Sequence, residues 1–210
     1  MGMVDYNVED LLPSVLQSLD SEGHLDYDKF YSGAYQQIHP LWPLSMLNNI
    51  NFCQVAIDLG IKGENTTFSP HADSGMHAII EAYNSVIEGK AKVVLAGGVS
   101  EKVSPMSIAR ALWFGVLAKD NAACAPFSEG RPGTILGEGA GILSLELQST
   151  ANERSVPCLA AITGYGASFG MDEKSGGPSV DAIALSMKEA IKKAGLQPKD
   201  IDLIIAHGDG

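Results

Sequence analysis

His71, Asp73 and Ser74 crowd the turn between a threonine-rich run and a helical pattern, and reactive side chains concentrate there in this 210-residue chain. An imidazole beside a carboxylate could serve as an acid/base pair, and an imidazole beside a serine hydroxyl could activate a nucleophile. The alternative is structural: an aspartate just before a helix caps it by accepting from a free backbone N–H, with His71 satisfied locally. Successive helical side chains point roughly 100° apart, which works against Ser74 and His71 sharing a pocket. Gly137-Glu-Gly-Ala-Gly141 resembles a phosphate cradle only in its glycines. It lacks the following Lys and Ser/Thr, and a glycine-rich bend in buried strands accounts for it. Cys53, Cys124 and Cys158 are odd in number and far apart, with no Cys-x-x-Cys pair and no histidine at metal-ligand spacing. They predict neither a disulfide nor a metal site.

The elements that would position these groups follow from periodicity. Glu9 to Leu19 places Leu12, Val15, Leu16 and Leu19 on one helical face, and a polar, aromatic stretch from Ser21 to Tyr35 follows. A helix is expected from Ser45 to Leu59, where Ile50, Cys53 and Ile57 repeat before Gly60. Asn65 to Ser69 reads as a short buried strand. Met76, Ile79, Ile80, Tyr83 and Ile87 then form a helical stripe that stops at Gly89. Val93 to Ala96 is a strand closed by Gly97-Gly98, and Ile135 to Leu147 holds two apolar runs. A polar turn from Ser149 to Pro157 precedes a strand at Leu159 to Gly164. The last unit is a helix through Ile183, Met187, Ala190, Ile191 and Ala194, stopped by Gly195, and a strand at Leu203 to Ala206. Strands alternating with helices predict an α/β fold with a parallel or mixed sheet covered on both faces.

A hydrophobic content of 45% supports a sizeable core. No apolar run is long enough to span a membrane, and Met1 to Tyr6 has neither the basic start nor the apolar stretch of a signal peptide. A cytoplasmic protein is expected. The net charge of −11 repels phosphate backbones, and the short Lys188 to Lys193 stretch is the sole basic cluster, so nucleic acid is not an expected partner.

From Pro43 to the C-terminus the chain resembles the β-ketoacyl synthases. The residues that carry the resemblance are Asn49, Gln54, Gly60-Ile-Lys-Gly63, the Asn65 to Gly75 segment, Leu95-Ala-Gly-Gly98, Ser104-Pro105, Pro126-Phe127, Gly133, Leu136-Gly-Glu-Gly-Ala-Gly141 and Glu146. Gly164-Tyr-Gly166, Ala194-Gly-Leu196, Ile201-Asp202 and Ala206-His-Gly208 follow in the same order. The resemblance implies a thiolase-like α/β fold, with mixed or parallel sheets and sandwiched helices, incomplete relative to the family. It divides the chain into an N-terminal helical and irregular segment (1–42), part of the ketosynthase N-terminal half (43–150) and the start of its C-terminal half (151–210). It also implies a dimer in which Thr66, Thr67, Phe68 and Ser69 pair with their copy across a two-fold axis.

Ala72 stands where the family carries its reactive cysteine, with Ser69 three residues before and Ser74-Gly75 after it at the family's spacing. A thiol there, at the positive end of a helix, takes an acyl chain from a carrier protein, whereas alanine forms no thioester. His207 matches the first of the two family histidines that stabilise the enolate of a decarboxylated malonyl unit. It reads equally as a structural histidine at a strand end. Asp209, where the family has threonine, would place a negative charge beside that anion. The family is one of acyltransferases, 3-oxoacyl-[acyl-carrier-protein] synthases of fatty acid and polyketide biosynthesis, but this chain alone is expected to be inactive.

The reading that follows is a non-condensing, chain-length-factor-like subunit, forming a homodimer or pairing with a full-length ketosynthase that docks the acyl carrier protein. The alternatives are a fragment of a split synthase performing decarboxylative condensation, and a decayed interaction module. No bound cofactor is expected, because acyl groups would arrive on carrier-protein phosphopantetheine.

Overall fold

The structure, a computed structural model, describes residues 8–47, 49–68, 73–100, 103–118, 123–174 and 176–208. In chain order the helices and strands are α1 (Val8–Gln17), α2 (Tyr27–Ser32), α3 (Ile50–Asp58), α4 (Ser74–Ile87), β1 (Val93–Ser100), α5 (Pro105–Trp113), β2 (Gly139–Glu146), α6 (Gln148–Glu153) and α7 (Val180–Ala194). Short 3-10 turns occur at Ala34–Gln37, Trp42–Met46 and Pro198–Asp200. The chain forms two compact units: Met1–Ala78 with Gly97–Ile142 and Asp209–Gly210, and Ile79–Ala96 with Leu143–Gly208.

In the first unit, α1 does not bury the leucine face expected of it. Ser14 and Ser18 are fully buried, while Leu12 and Leu16 are exposed. The small serine side chains let the helix approach the 3-10 turn around buried Ala34, and Ser18 Oγ satisfies itself by donating to Ser14 O at 2.7 Å. The polar stretch after α1 contains a helix that periodicity missed. Asp26 caps α2 by accepting from Lys29 N–H at 3.1 Å, so the available signal was the capping aspartate. The expected helix over 45–59 splits into the Trp42–Met46 turn and α3, and Gly60 ends α3 with a left-handed φ of 65°.

β1 and β2 pair as a two-stranded sheet. Their contact is close enough that a Cβ at Gly97 would overlap the carbonyl oxygen of Gly141. The first turn of α4 packs equally near, since a Cβ at Gly75 would lie 3.5 Å from Gly98 Cα. Glycines thus set how closely helix and strands approach around the start of α4. β2 is exposed from Gly139 to Ser144, so the expected buried setting of the glycine-rich bend does not hold there.

In the second unit, Ala82, Val86, Ala96, Ala151 and Ala182 are buried. The polar segment expected as a turn after β2 instead forms α6, followed by Arg154, whose guanidinium pairs with Glu146 at 2.7 Å. α7 is capped by Ser179, which accepts from Ala182 N–H at 3.2 Å, and is stopped by Gly195 at φ 69°.

Three expected strands are not formed among the described residues. Residues 65–68, 159–164 and 203–206 carry no ladder, and Ser69 lies outside the described residues. A strand requires a neighbour for its N–H and C=O groups, and apolar character alone does not supply one. Leu159 is 99% exposed and Ile205 90%, so these runs have strand-like composition and no partner strand among the described residues.

Candidate functional site

Asp73 directly precedes Ser74, the first residue of α4, and stands at the N-cap position. Its backbone carbonyl accepts from His77 N–H at 3.0 Å. Its carboxylate Oδ2 lies 3.1 Å from His77 Nε2, one helical turn further on. A carboxylate can only accept, so His77 Nε2–H donates in this contact. Phe68 stacks against the imidazole, with ring centroids 6.4 Å apart and planes inclined by 25°. The aspartate expected to cap the helix therefore directs its carboxylate to an imidazole. That imidazole belongs to His77, a residue that the reactive spacing at the turn did not single out. The i, i+4 interval between Asp73 and His77 was the signal available for it.

The pair is open to water: 44% of the His77 side chain and 65% of the Asp73 side chain are exposed. Interactions between groups so exposed are screened, and this one contributes little to stability. His71 and Ala72 lie outside the described residues, as does Asp209. Of the expected dimer strand, Thr66 is exposed and Thr67 and Phe68 are half-buried. His207 is exposed near the end of the second unit, whereas Phe68, Asp73 and His77 gather in the first.

The glycine-rich loop before β2 is tied down by its neighbours. Ser100 Oγ donates to Gly137 O at 3.2 Å, and the Val103 N–H donates to a Glu138 carboxylate oxygen. Those bonds occupy the loop as a brace between β1 and α5, a structural duty that leaves the phosphate-cradle alternative without support. α5 begins at a reciprocal cap, in which Ser104 Oγ accepts from Ser107 N–H and Ser107 Oγ accepts from Ser104 N–H.

Beside that cap is an open hollow of about 420 Å³, lined by Val103, Ile108, Leu117, Ala118, Thr134, Ile135 and Leu136. The 117–118 and 134–136 segments that wall it are held by Ala118 N–H to Thr134 O at 2.9 Å and Thr134 N–H to Val116 O at 2.8 Å. Among the described residues its lining is uncharged and mostly apolar, with Thr134 as the polar exception. Among the described residues no cluster of metal-ligating side chains occurs, and no helix is long and apolar enough to cross a membrane.

Comparison with known proteins places this architecture. The β-ketoacyl synthase N-terminal domain matches residues 14–151 and its C-terminal domain residues 159–210. The N-terminal match begins ahead of Pro43, so the segment from residue 14 belongs to the domain although its motifs did not reveal it. The 3-oxoacyl-[acyl-carrier-protein] synthase 2 of Staphylococcus aureus is 32% identical over 177 residues, 82% of this chain and 44% of that protein. The crystal structure of a β-ketoacyl synthase from Burkholderia phymatum STM815 superposes with a TM-score of 0.76 at 28% identity, covering 87% of this chain and 45% of the other. The ishigamide ketosynthase/chain length factor superposes at 0.74 and 24% identity, over 95% and 46%, and shows the shared fold. The chain spans about half the length of the curated relatives it matches. Its fold is the thiolase-like α/β fold, and the chain belongs to the β-ketoacyl synthase family.

Proposed function

We propose that this chain is a non-condensing, chain-length-factor-like subunit that acts by pairing with a complete ketosynthase. The observation that carries the reading is Ala72, which stands where the resemblance places the acyl-accepting thiol, with Ser69 and Ser74-Gly75 around it at the family's spacing. Without a nucleophile there is no acyl-enzyme, and what remains useful in the fold is shape. The hollow beside α5, mostly apolar among the described residues, supports a role in shaping the space for an acyl chain. The net charge of −11 suits a subunit that leaves docking of an acidic carrier to its partner.

Co-expression with a complete ketosynthase from the same cell, followed by size-exclusion chromatography, tests the proposal. Co-elution of the two chains is the expected result, and elution of this chain alone contradicts it. A radioactive carbon dioxide release assay with malonyl-carrier tests the competing enzymatic reading, and release above the blank by this chain alone would favour that reading.

A further inference from the structure

We infer that the exposed face of α2 is a docking surface for an arginine-bearing segment of a partner protein. The inference stands apart from the non-condensing reading, because it concerns residues 20–31 and no step of condensation.

α2 is held in place while its side chains stay in solvent. Asp26 caps it by accepting from Lys29 N–H at 3.1 Å, and Lys29 Nζ donates to Leu19 O at 2.9 Å. None of its six residues is buried. Tyr27 and Tyr31, one helical turn apart, are 65% and 68% exposed, and their rings stack with centroids 6.5 Å apart and planes inclined by 19°. Phe30 meets Tyr31 edge-on, with centroids 5.3 Å apart. Single apolar residues in solvent are ordinary, but adjoining aromatic rings on a fixed helix are the kind of side chain that anchors protein interfaces. Tyrosine also supplies contact area at low entropic cost, since it has few bonds to immobilise.

Charge selects the occupant. Asp26 precedes Tyr27, Asp28 follows it, and Asp20 and Glu22 lie in the turn that leads to α2. Lys29 is already engaged by Leu19 O and lies 4.0 Å from Asp26. His24 Nδ1 is 3.8 Å from a carboxylate oxygen of both Asp20 and Glu22. Even with His24 counted as a cation, residues 20–29 hold four carboxylates against two positive groups. The imbalance extends outward: the first 61 residues contain eight Asp and Glu against Lys29 alone among Lys and Arg, so seven of the eleven net negative charges fall there. A second copy of this chain would bring the same carboxylates against themselves, and an acidic carrier or a phosphate backbone is repelled in the same way. A guanidinium meets both features of the face at once, because it stacks on aromatic rings and pairs with carboxylates.

The probe is a fluorescein-labelled peptide of alternating glycine and arginine, titrated with the full chain at low salt and followed by anisotropy. Tyr27→Leu/Tyr31→Leu keeps apolar bulk and a good helix former but removes both aromatic faces. It should weaken binding about five- to thirtyfold, the loss expected for two exposed cation–π contacts. Glu22→Gln/Asp28→Asn spares the capping Asp26 and the turn-forming Asp20, and should weaken binding about three- to tenfold. Glu153→Gln/Glu173→Gln removes the same charge from exposed positions of the second unit and should leave binding within about twofold. Circular dichroism checks that each variant is folded, and if the leucine variant is not, the two charge variants decide the matter alone. Binding by the folded leucine variant within about twofold of the unmodified chain overturns the inference, as do equal losses for the two charge variants. Self-association of the unmodified chain that the leucine variant abolishes would put a second copy on this face and also overturn it. Co-elution with a ketosynthase is measured on the unmodified chain, so failure of that reading and failure of this one are separate results.

Discussion

The Tyr165 hydroxyl donates to Asn84 Oδ1 at 3.1 Å, joining the segment before α7 to the middle of α4. The same ring meets Tyr83 edge-on, with centroids 5.7 Å apart, and lies under the Lys193 ammonium at 3.5 Å. One aromatic side chain thus ties two helices of the second unit together. Tyr165→Phe keeps the ring contacts and loses the hydrogen bond, at an expected cost of about 0.5–1.5 kcal/mol. Tyr165→Ala also forfeits the packing and the cation contact, and should cost about 3 kcal/mol or more. Urea denaturation of the two variants checks the order, and equal losses would show that the ring packing contributes little.

Gly97 and Gly141 make a second constraint, because a methyl group at Gly97 has no room before the Gly141 carbonyl. Gly97→Ala should destabilise by about 1–3 kcal/mol through strand displacement. Gly63→Ala, at a site with nothing within 4 Å of the added Cβ, should change stability far less. Thermal melts of the two variants give the comparison, and a Gly97→Ala melt matching the unmodified chain would contradict the close approach.

Acid should weaken the turn after α1. Asp20 accepts from His24 N–H at 2.8 Å and Glu22 N–H at 2.9 Å. The bond from His24 leads the causes that hold the Asp20 carboxyl below its ordinary value, with smaller help from Glu22, Gly23 and Lys29. A depressed folded-state value stabilises above the unfolded pKa, and the contribution disappears as pH falls through the folded one. Asp20→Asn should therefore flatten the acid limb of the melting temperature between neutral pH and about pH 2, and an unchanged limb would refute it.

The apolar run at 203–206 should matter for association more than for folding. Ile205 is 90% exposed, so Ile205→Lys should change the stability of the isolated chain by no more than about 0.5 kcal/mol. If a partner chain covers this run, the same variant should reduce co-elution with a complete ketosynthase. A large loss of melting temperature in the isolated chain would instead place Ile205 in a packed interior.

Long periodic segments were readable from the residues alone, and local conformational signals marked their ends. α4 and α7 follow their apolar stripes, and Gly60 and Gly195 stop helices with positive φ. What misled was the assumption that apolar residues find cover within this chain. Leu159 and Leu203 to Ile205 have strand composition, but nothing among the described residues pairs with them as a strand. At the site, the spacing around Ala72 raised the expectation of a replaced cysteine, and residue 72 lies outside the described residues. The Asp73–His77 pair was not, because adjacent reactive residues masked an interval set by the helical turn. α1 shows the same limit, since its serines are buried where its leucines were expected to be.

Native mass spectrometry of this chain mixed with a complete ketosynthase and an acylated carrier protein tests the central claim most directly. The account predicts a complex containing both chains, with the acyl group on the ketosynthase and none on this chain. An acyl adduct on this chain, or the absence of any complex containing both, would contradict it.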